Sequence, residues 1–186
     1  SLSYLMLRQQ EAVGLITFSD KIEKMIAPKT ARDHLFSILQ ALENTTPRGK
    51  TATASALQDL AASLRGRGLI ILISDLLDKP EEVIRGLKQL RARGSDIIVF
   101  HLLDREELHF TFKEPSLFKD LEEDLSLLVD PLTIRPAYLE LLHSFTEEYR
   151  RVCFSHRIDY VLLETSVGLD QALVRYLTWR QKFRVR

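Results

Sequence analysis

Leu69-Ile70-Ile71-Leu72-Ile73-Ser74-Asp75 is a run of aliphatic residues that ends abruptly on a hydroxyl and a carboxylate. Such a run reads as a parallel strand buried on both faces. An acid at its C-terminal end stands on the rim where open α/β sheets place their ligand sites. A second run of the same kind, Asp96-Ile97-Ile98-Val99-Phe100-His101-Leu102-Leu103-Asp104, also ends on Asp. Together they predict an α/β fold, a doubly wound and mostly parallel sheet with helices on both faces and oxygen ligands on one rim. The pattern by itself discloses no reaction.

Outward from these strands, periodicity alternates between helix and strand. Ser1 to Gln10 reads as the last turns of an amphipathic helix, and Ala12 to Phe18 as a strand. Ser19-Asp20-Lys21 is turn chemistry. Ile22 to Ile26, ending at Pro28, suits an antiparallel edge strand. Helical stripes cover Asp33 to Glu43 and Thr53 to Arg65, separated by the loop Pro47-Arg48-Gly49-Lys50. Asp78-Lys79-Pro80-Glu81-Glu82 reads as a helix start with Asp78 as its cap, and Gly94 as its stop. Phe118–Leu121 and Leu125–Val129 flank Glu122-Glu123-Asp124 as a β-hairpin. A long helix spans about Ile134 to His156, a last strand Ile158 to Leu163, and a closing helix Leu169 to Gln181. Strand–helix alternation implies right-handed parallel crossovers. One domain over residues 1–186 is expected, with an acidic hairpin insertion over 105–130.

Composition bounds the function. Formal net charge is zero, so bulk electrostatics give no support to nucleic-acid binding. The charge is uneven: Asp104 to Asp130 holds nine acids against three bases, and Arg175 to Arg186 five bases and no acid. These read as two solvated surfaces, the hairpin projecting from the sheet edge and the tail mobile beyond Trp179. Cys153, the single cysteine, cannot form an intrachain disulfide, fits a reducing, cytoplasmic compartment, and reads as a buried inert thiol. No apolar run is long enough to span a bilayer, and no signal-peptide pattern opens the chain. It opens on Ser1 without an initiator Met, which points to a fragment, an excised domain or a processed product.

Familiar catalytic patterns are missing. Gly49-Lys50-Thr51 ends like a phosphate-binding loop but lacks its earlier glycine, and Gly66-Arg67-Gly68 precedes a strand instead of opening a helix. One Cys and five scattered His give no zinc spacing. His34 and His143, both within helical patterns, read as packing or surface residues. Two oxygen donors remain: Thr51, just before the helix that starts at Thr53, and Asp75. They have the chemistry that Mg²⁺ prefers, and equally that of a helix cap and a turn cap.

Ala12-Val13-Gly14-Leu15-Ile16-Thr17-Phe18, then Gly49-Lys50-Thr51, then Leu72-Ile73-Ser74-Asp75-Leu76-Leu77-Asp78 resemble the von Willebrand factor A-type domain, and most of all its bacterial branch called "domain of unknown function 58". Val99 to Asp104, Leu128-Val129-Asp130-Pro131 and Ile158 to Leu163 match that branch as well. The resemblance implies a metal-ion-dependent adhesion site, in which Mg²⁺ is held by an Asp-x-Ser-x-Ser motif, a Thr and an Asp, and completed by a partner's carboxylate. By match, Thr51 and Asp75 take the last two roles. No Asp-x-Ser-x-Ser occurs in the chain. The resemblance therefore implies an N-terminal truncation, with the family's first, central strand absent between Val13–Phe18 and Leu69–Ser74, and metal affinity weak or nil. It further implies a non-enzymatic binding module, a MoxR-type AAA+ ATPase as partner, and a parent anchored to a membrane by upstream segments. The rival expectation is a Mg²⁺-dependent phosphoryl-transfer or hydrolytic enzyme using Asp75 and Asp104.

Overall fold

A computed structural model describes residues 2–46, 52–64, 66–119 and 126–183. In chain order its elements are α1 (Leu2–Arg8), β1 (Val13–Phe18), β2 (Ile22–Lys29), α2 (His34–Glu43), α3 (Thr53–Ser63), β3 (Leu69–Ser74), α4 (Pro80–Ala92), β4 (Asp96–Leu103), α5 (Arg105–His109), β5 (Ser116–Lys119), β6 (Ser126–Val129), α6 (Pro131–Ser155), β7 (Asp159–Glu164) and α7 (Leu169–Phe183). The result is a mixed α/β fold: a parallel sheet in the order β3-β4-β7, flanked by helices, with two separate antiparallel pairs, β1-β2 and β5-β6.

β4 is the axis of the molecule. Its alternation sends Ile97 and Val99 into a core with Leu57 and Ala61 of α3, Val83, Leu87 and Leu90 of α4, and Tyr149 and Cys153 of α6. Ile98 and Phe100 point the other way and pack with Leu173 and Tyr176 of α7. Both faces of the sheet are thus covered by helices, as expected. Each such side chain, fully buried, contributes about 1.5–3 kcal/mol. α3 and α4 meet closely because Gly86 has no side chain: a Cβ there would sit 2.7 Å from Leu57 Cβ. α4 starts on Pro80 and stops at Gly94, whose φ of +89° is the left-handed conformation a helix-ending glycine supplies.

β3 departs from its expectation. It was read as buried on both faces, but it lies at the edge of the described sheet: β4 covers one of its sides, and no described strand pairs with the other, as the absence of a neighbouring strand there implied. Only Leu72 is buried, while Leu69 is 41% and Ile73 53% exposed. An all-aliphatic run marks a strand as apolar and cannot say whether both of its edges are paired. β1 is the second correction. It was expected in the parallel sheet, yet its only described ladder is the antiparallel one with β2, offset at Val13/Leu15 and Thr17/Phe18. The hairpin adjoins the parallel sheet without joining it. Phe18 packs against the core that holds Leu72, Ser19 C=O accepts from Ala52 N–H at 2.8 Å, and His34 Nε2 lies 2.9 Å from Val13 C=O. β2 is antiparallel as expected and runs through Pro28 to Lys29. A proline without an N–H is tolerated on such an edge.

Three local readings also change. Asp78 does not cap α4, whose cap position is Lys79. Its Oδ2 accepts instead from Ala54 N–H in the first turn of α3, at 3.1 Å. α5 was not anticipated, although Asp104 and Glu107 form a reciprocal capping box that founds it. α7 continues to Phe183, so the chain beyond Trp179 is helical instead of a mobile tail. The hairpin of β5 and β6 is present, with Leu117 opposite Leu128 and Phe118 opposite Leu127. Glu122, Glu123 and Asp124 lie outside the described residues. Cys153 is a free, buried thiol, pushed up to about 12 by burial, in keeping with an inert residue. His34 is buried in packing, and His143 lies exposed on α6.

Candidate functional site

The C-terminal rim of the parallel sheet is formed by Ser74-Asp75 after β3, Asp104 after β4 and Glu164-Thr165 after β7. The turn after β3 is the most constrained part of it. Leu76 is fully buried and has a φ of +56°, a left-handed conformation that a branched apolar residue adopts only under constraint. Hydrogen bonds supply that constraint. Ser74 Oγ accepts from Leu76 N–H at 3.0 Å, Asp75 Oδ1 from Leu77 N–H at 3.2 Å, and Leu76 C=O from Asp78 N–H at 2.7 Å. The turn is anchored to α3 through Asp78 and Ala54, and through Thr53, fully buried, whose Oγ1 lies 3.4 Å from Ser74 Oγ. Asp75 itself is exposed. One of its oxygens closes the turn and the carboxylate faces outward from a rigid base.

Thr51 lies outside the described residues. Thr53, two residues further on, is the threonine that this structure places against the end of β3. Asp104, the other acid of the enzyme reading, is engaged. Its Oδ1 accepts from Glu106 N–H at 2.9 Å and its Oδ2 from Thr165 Oγ1 at 2.8 Å. The Glu106 amide, followed by the Thr165 hydroxyl, holds its carboxyl below the usual range. Asp104 is the cap of α5 and its tie to β7.

Behind the rim lies a polar group that sequence reasoning passed over. His101, in register with Ser74, is completely buried between β3 and β7. Its Nδ1 lies 2.7 Å from Tyr160 Oη. Its ring is met edge-on by Phe145, Tyr160 and Tyr149, with centroids 5.8, 5.8 and 6.1 Å away. Burial lowers the imidazole below its ordinary range, against a smaller opposite pull from the backbone and charge of Asp75. His101 Nε2 and Tyr149 Oη are both buried with no hydrogen-bond partner among the described residues. The sequence signal was a lone histidine inside an aliphatic strand.

Among the described residues, no group of three or more His, Cys, Asp or Glu side chains is arranged to hold a metal ion. On the described rim beside Asp75, Ser74 adds a hydroxyl oxygen to its carboxylate. No described helix is long and apolar enough to cross a membrane.

With this architecture in place, comparison with known proteins is informative. The chain belongs to the family described as "protein of unknown function DUF58", whose model matches residues 1–147. Two solved structures share the fold. The conserved hypothetical protein BatB from Bacteroides thetaiotaomicron is similar with a TM-score of 0.53 at 14% identity, over 97% of this chain and 85% of that one. An aerotolerance-related membrane protein from Bacteroides fragilis, solved with multiple mutations to serines, gives 0.51 at 14% identity, over 95% and 87%. No curated protein matches the chain.

Proposed function

We propose that this chain is the greater part of a von Willebrand A-type, non-enzymatic binding module. Its intact parent would bind a partner carboxylate through Mg²⁺, with Asp75 and Thr51 among the ligands. The observation that carries the reading is Asp75: an exposed carboxylate on a built, strained turn at the strand-end rim, beside the first turn of α3. A strand-end acid next to a helix start is where open α/β sheets hold ligands. With no Asp-x-Ser-x-Ser in the chain, the proposal includes weak or no Mg²⁺ binding by this chain itself. The enzyme reading is disfavoured because Asp104 is committed to Glu106 and Thr165. A MoxR-type AAA+ ATPase is the proposed partner, and a cytoplasmic site on a membrane-anchored parent the proposed location. Capture of a purified MoxR-type ATPase by the intact parent, with Mg²⁺ and with chelator, tests this. Capture should need the metal and should fall with Asp75→Ala. Capture that ignores both chelator and the substitution refutes it.

A further inference from the structure

Away from the rim, the hairpin of β1 and β2 is bulged. Thr17 stands opposite Lys24 and Phe18 opposite Ile22, so one step along β1 is matched by two along β2, and Glu23 has no residue opposite it. In a regular strand, neighbours such as Glu23 and Lys24 point to opposite faces. One extra residue breaks that alternation and re-aims a side chain. Glu23 and Lys24 accordingly line the same cleft, of about 350 Å³, together with Thr17, the cross-strand neighbour of Lys24. Asn44, which caps α2, and Thr45 and Thr46 just beyond it line the cleft from the other side. That volume is at the small end of the roughly 300–1,000 Å³ of small-molecule sites.

The polar groups of the cleft do not satisfy one another. Glu23 Oε1 accepts from Ser19 Oγ at 2.9 Å, and its second oxygen has no hydrogen-bond partner among the described residues. Lys24 makes no ion pair among them, with Glu23 or with any other acid. Thr17 Oγ1 is buried and has no partner among them. Thr45 Oγ1 is engaged, donating to Ala41 C=O at 2.7 Å. A cation and an anion held side by side by the backbone, with hydroxyl and amide groups around them, complement a ligand that carries both charges. The end of α2 sets its direction, since the last carbonyls of a helix favour a positive group.

We propose that the cleft between the β1–β2 hairpin and the end of α2 binds a small zwitterion of the free amino-acid type. Lys24 takes the carboxylate. Glu23 and the carbonyl end of α2 take the ammonium, which leaves Asn44 and Thr46 for a short polar side chain. The site lies within residues 17–46 and uses neither Asp75 nor a metal, so it stands or falls apart from the binding-module reading.

Amide NMR of the whole chain, titrated with each of the standard free L-amino acids at millimolar concentration, tests this. At least one should shift the amides of Thr17, Glu23, Lys24 and Asn44 saturably, while those of Ile98 and Val99 in β4 stay still. The N-acetyl derivative of that amino acid lacks the cation, and its carboxamide lacks the anion. Each should bind about tenfold more weakly, the worth of one charge-assisted hydrogen bond. Lys24→Met and Glu23→Gln change exposed side chains of similar length, and unmoved β4 amides report an intact fold. Lys24→Met should weaken the amino acid about tenfold and leave the carboxamide unaffected. Glu23→Gln should weaken the amino acid and leave the N-acetyl derivative unaffected. The proposal fails if no amino acid moves these amides, if the blocked derivatives bind as well as their parent, or if the substitutions weaken charged and blocked forms alike.

Discussion

Tyr149→Phe should make this protein more stable. Tyr149 is completely buried, and its hydroxyl has no hydrogen-bond partner among the described residues. Burial raises its pKa well above the usual phenol value, and the charge of Asp78 adds to the effect, so the group is a neutral, desolvated hydroxyl. An unpaired buried polar group of this kind costs about 1–3 kcal/mol. The ring contacts survive the change: the edge contact with Phe145 at 5.1 Å and the parallel stack with Tyr160 at 6.4 Å need no oxygen. What is lost is the volume of one oxygen, roughly 10 Å³, which costs about 0.2 kcal/mol at ~24 cal/mol per Å³. The balance is a gain of about 1–3 kcal/mol. Thermal unfolding should show a Tm higher by about 2–12 °C, and urea titration a higher midpoint at unchanged slope. A loss of more than about 1 kcal/mol would refute the reasoning, by showing that the hydroxyl is paired in solution, for instance through a buried water.

Arg157→Gly should also stabilise. Arg157 is exposed, has a φ of +57°, and occupies the helix-ending position of α6, where its N–H reaches Phe154 C=O and Ile158 N–H reaches Cys153 C=O; relief of about 1 kcal/mol in urea denaturation is expected. Gly86→Ala should destabilise by about 1–3 kcal/mol despite the better helix propensity of alanine, because the new methyl would meet Leu57 Cβ at 2.7 Å; an unchanged urea midpoint would show that α3 and α4 can part freely. Burial of His101 lowers its folded pKa below the ordinary 6.5. The unfolded chain therefore takes up a proton first as pH falls. The contribution of the neutral ring is complete above about pH 6.5 and is lost below it. Urea midpoints should drop more steeply on acidification in the wild type than in His101→Gln, and parallel curves would contradict the burial argument.

Legibility followed the range of the interactions involved. β4 and β7, the helices of both faces and the β5–β6 hairpin could be read because each is announced by its own periodicity and turn residues. The status of β3 could not. Leu69–Ile73 carries no sign of how many neighbours its edges have, and that depends on β1, which pairs elsewhere. α5 was legible and missed: Asp104 followed by Glu107 is a capping-box spacing. Asp78 was placed at the start of the nearest helix, whereas it caps α3, which precedes it in the chain. Of the site, the exposed acid on the rim was readable from Ser74-Asp75. The buried polar cluster around His101 was not, since His101 finds Tyr160 across 59 positions and Tyr149 across 48, distances over which a single sequence carries no pattern.

The break between the hairpin of β1 and β2 and the parallel sheet sets how the molecule opens. A continuous hydrogen-bond ladder makes neighbouring strands melt together, but this ladder stops between β1 and β3. Residues 12–46 are tied to the rest mainly through Phe18, the Ser19–Ala52 bond and the contacts of α1, while β3, β4 and β7 share one ladder and two cores. The two parts therefore behave as separate cooperative units of different protection. The hairpin unit is therefore expected to show weaker amide protection than the parallel sheet, and its opening to uncover the part of the core that Phe18 packs against. The rim that Asp75 occupies thus lies beside a seam, and a partner that grips both sides of that seam would lock the two units into one.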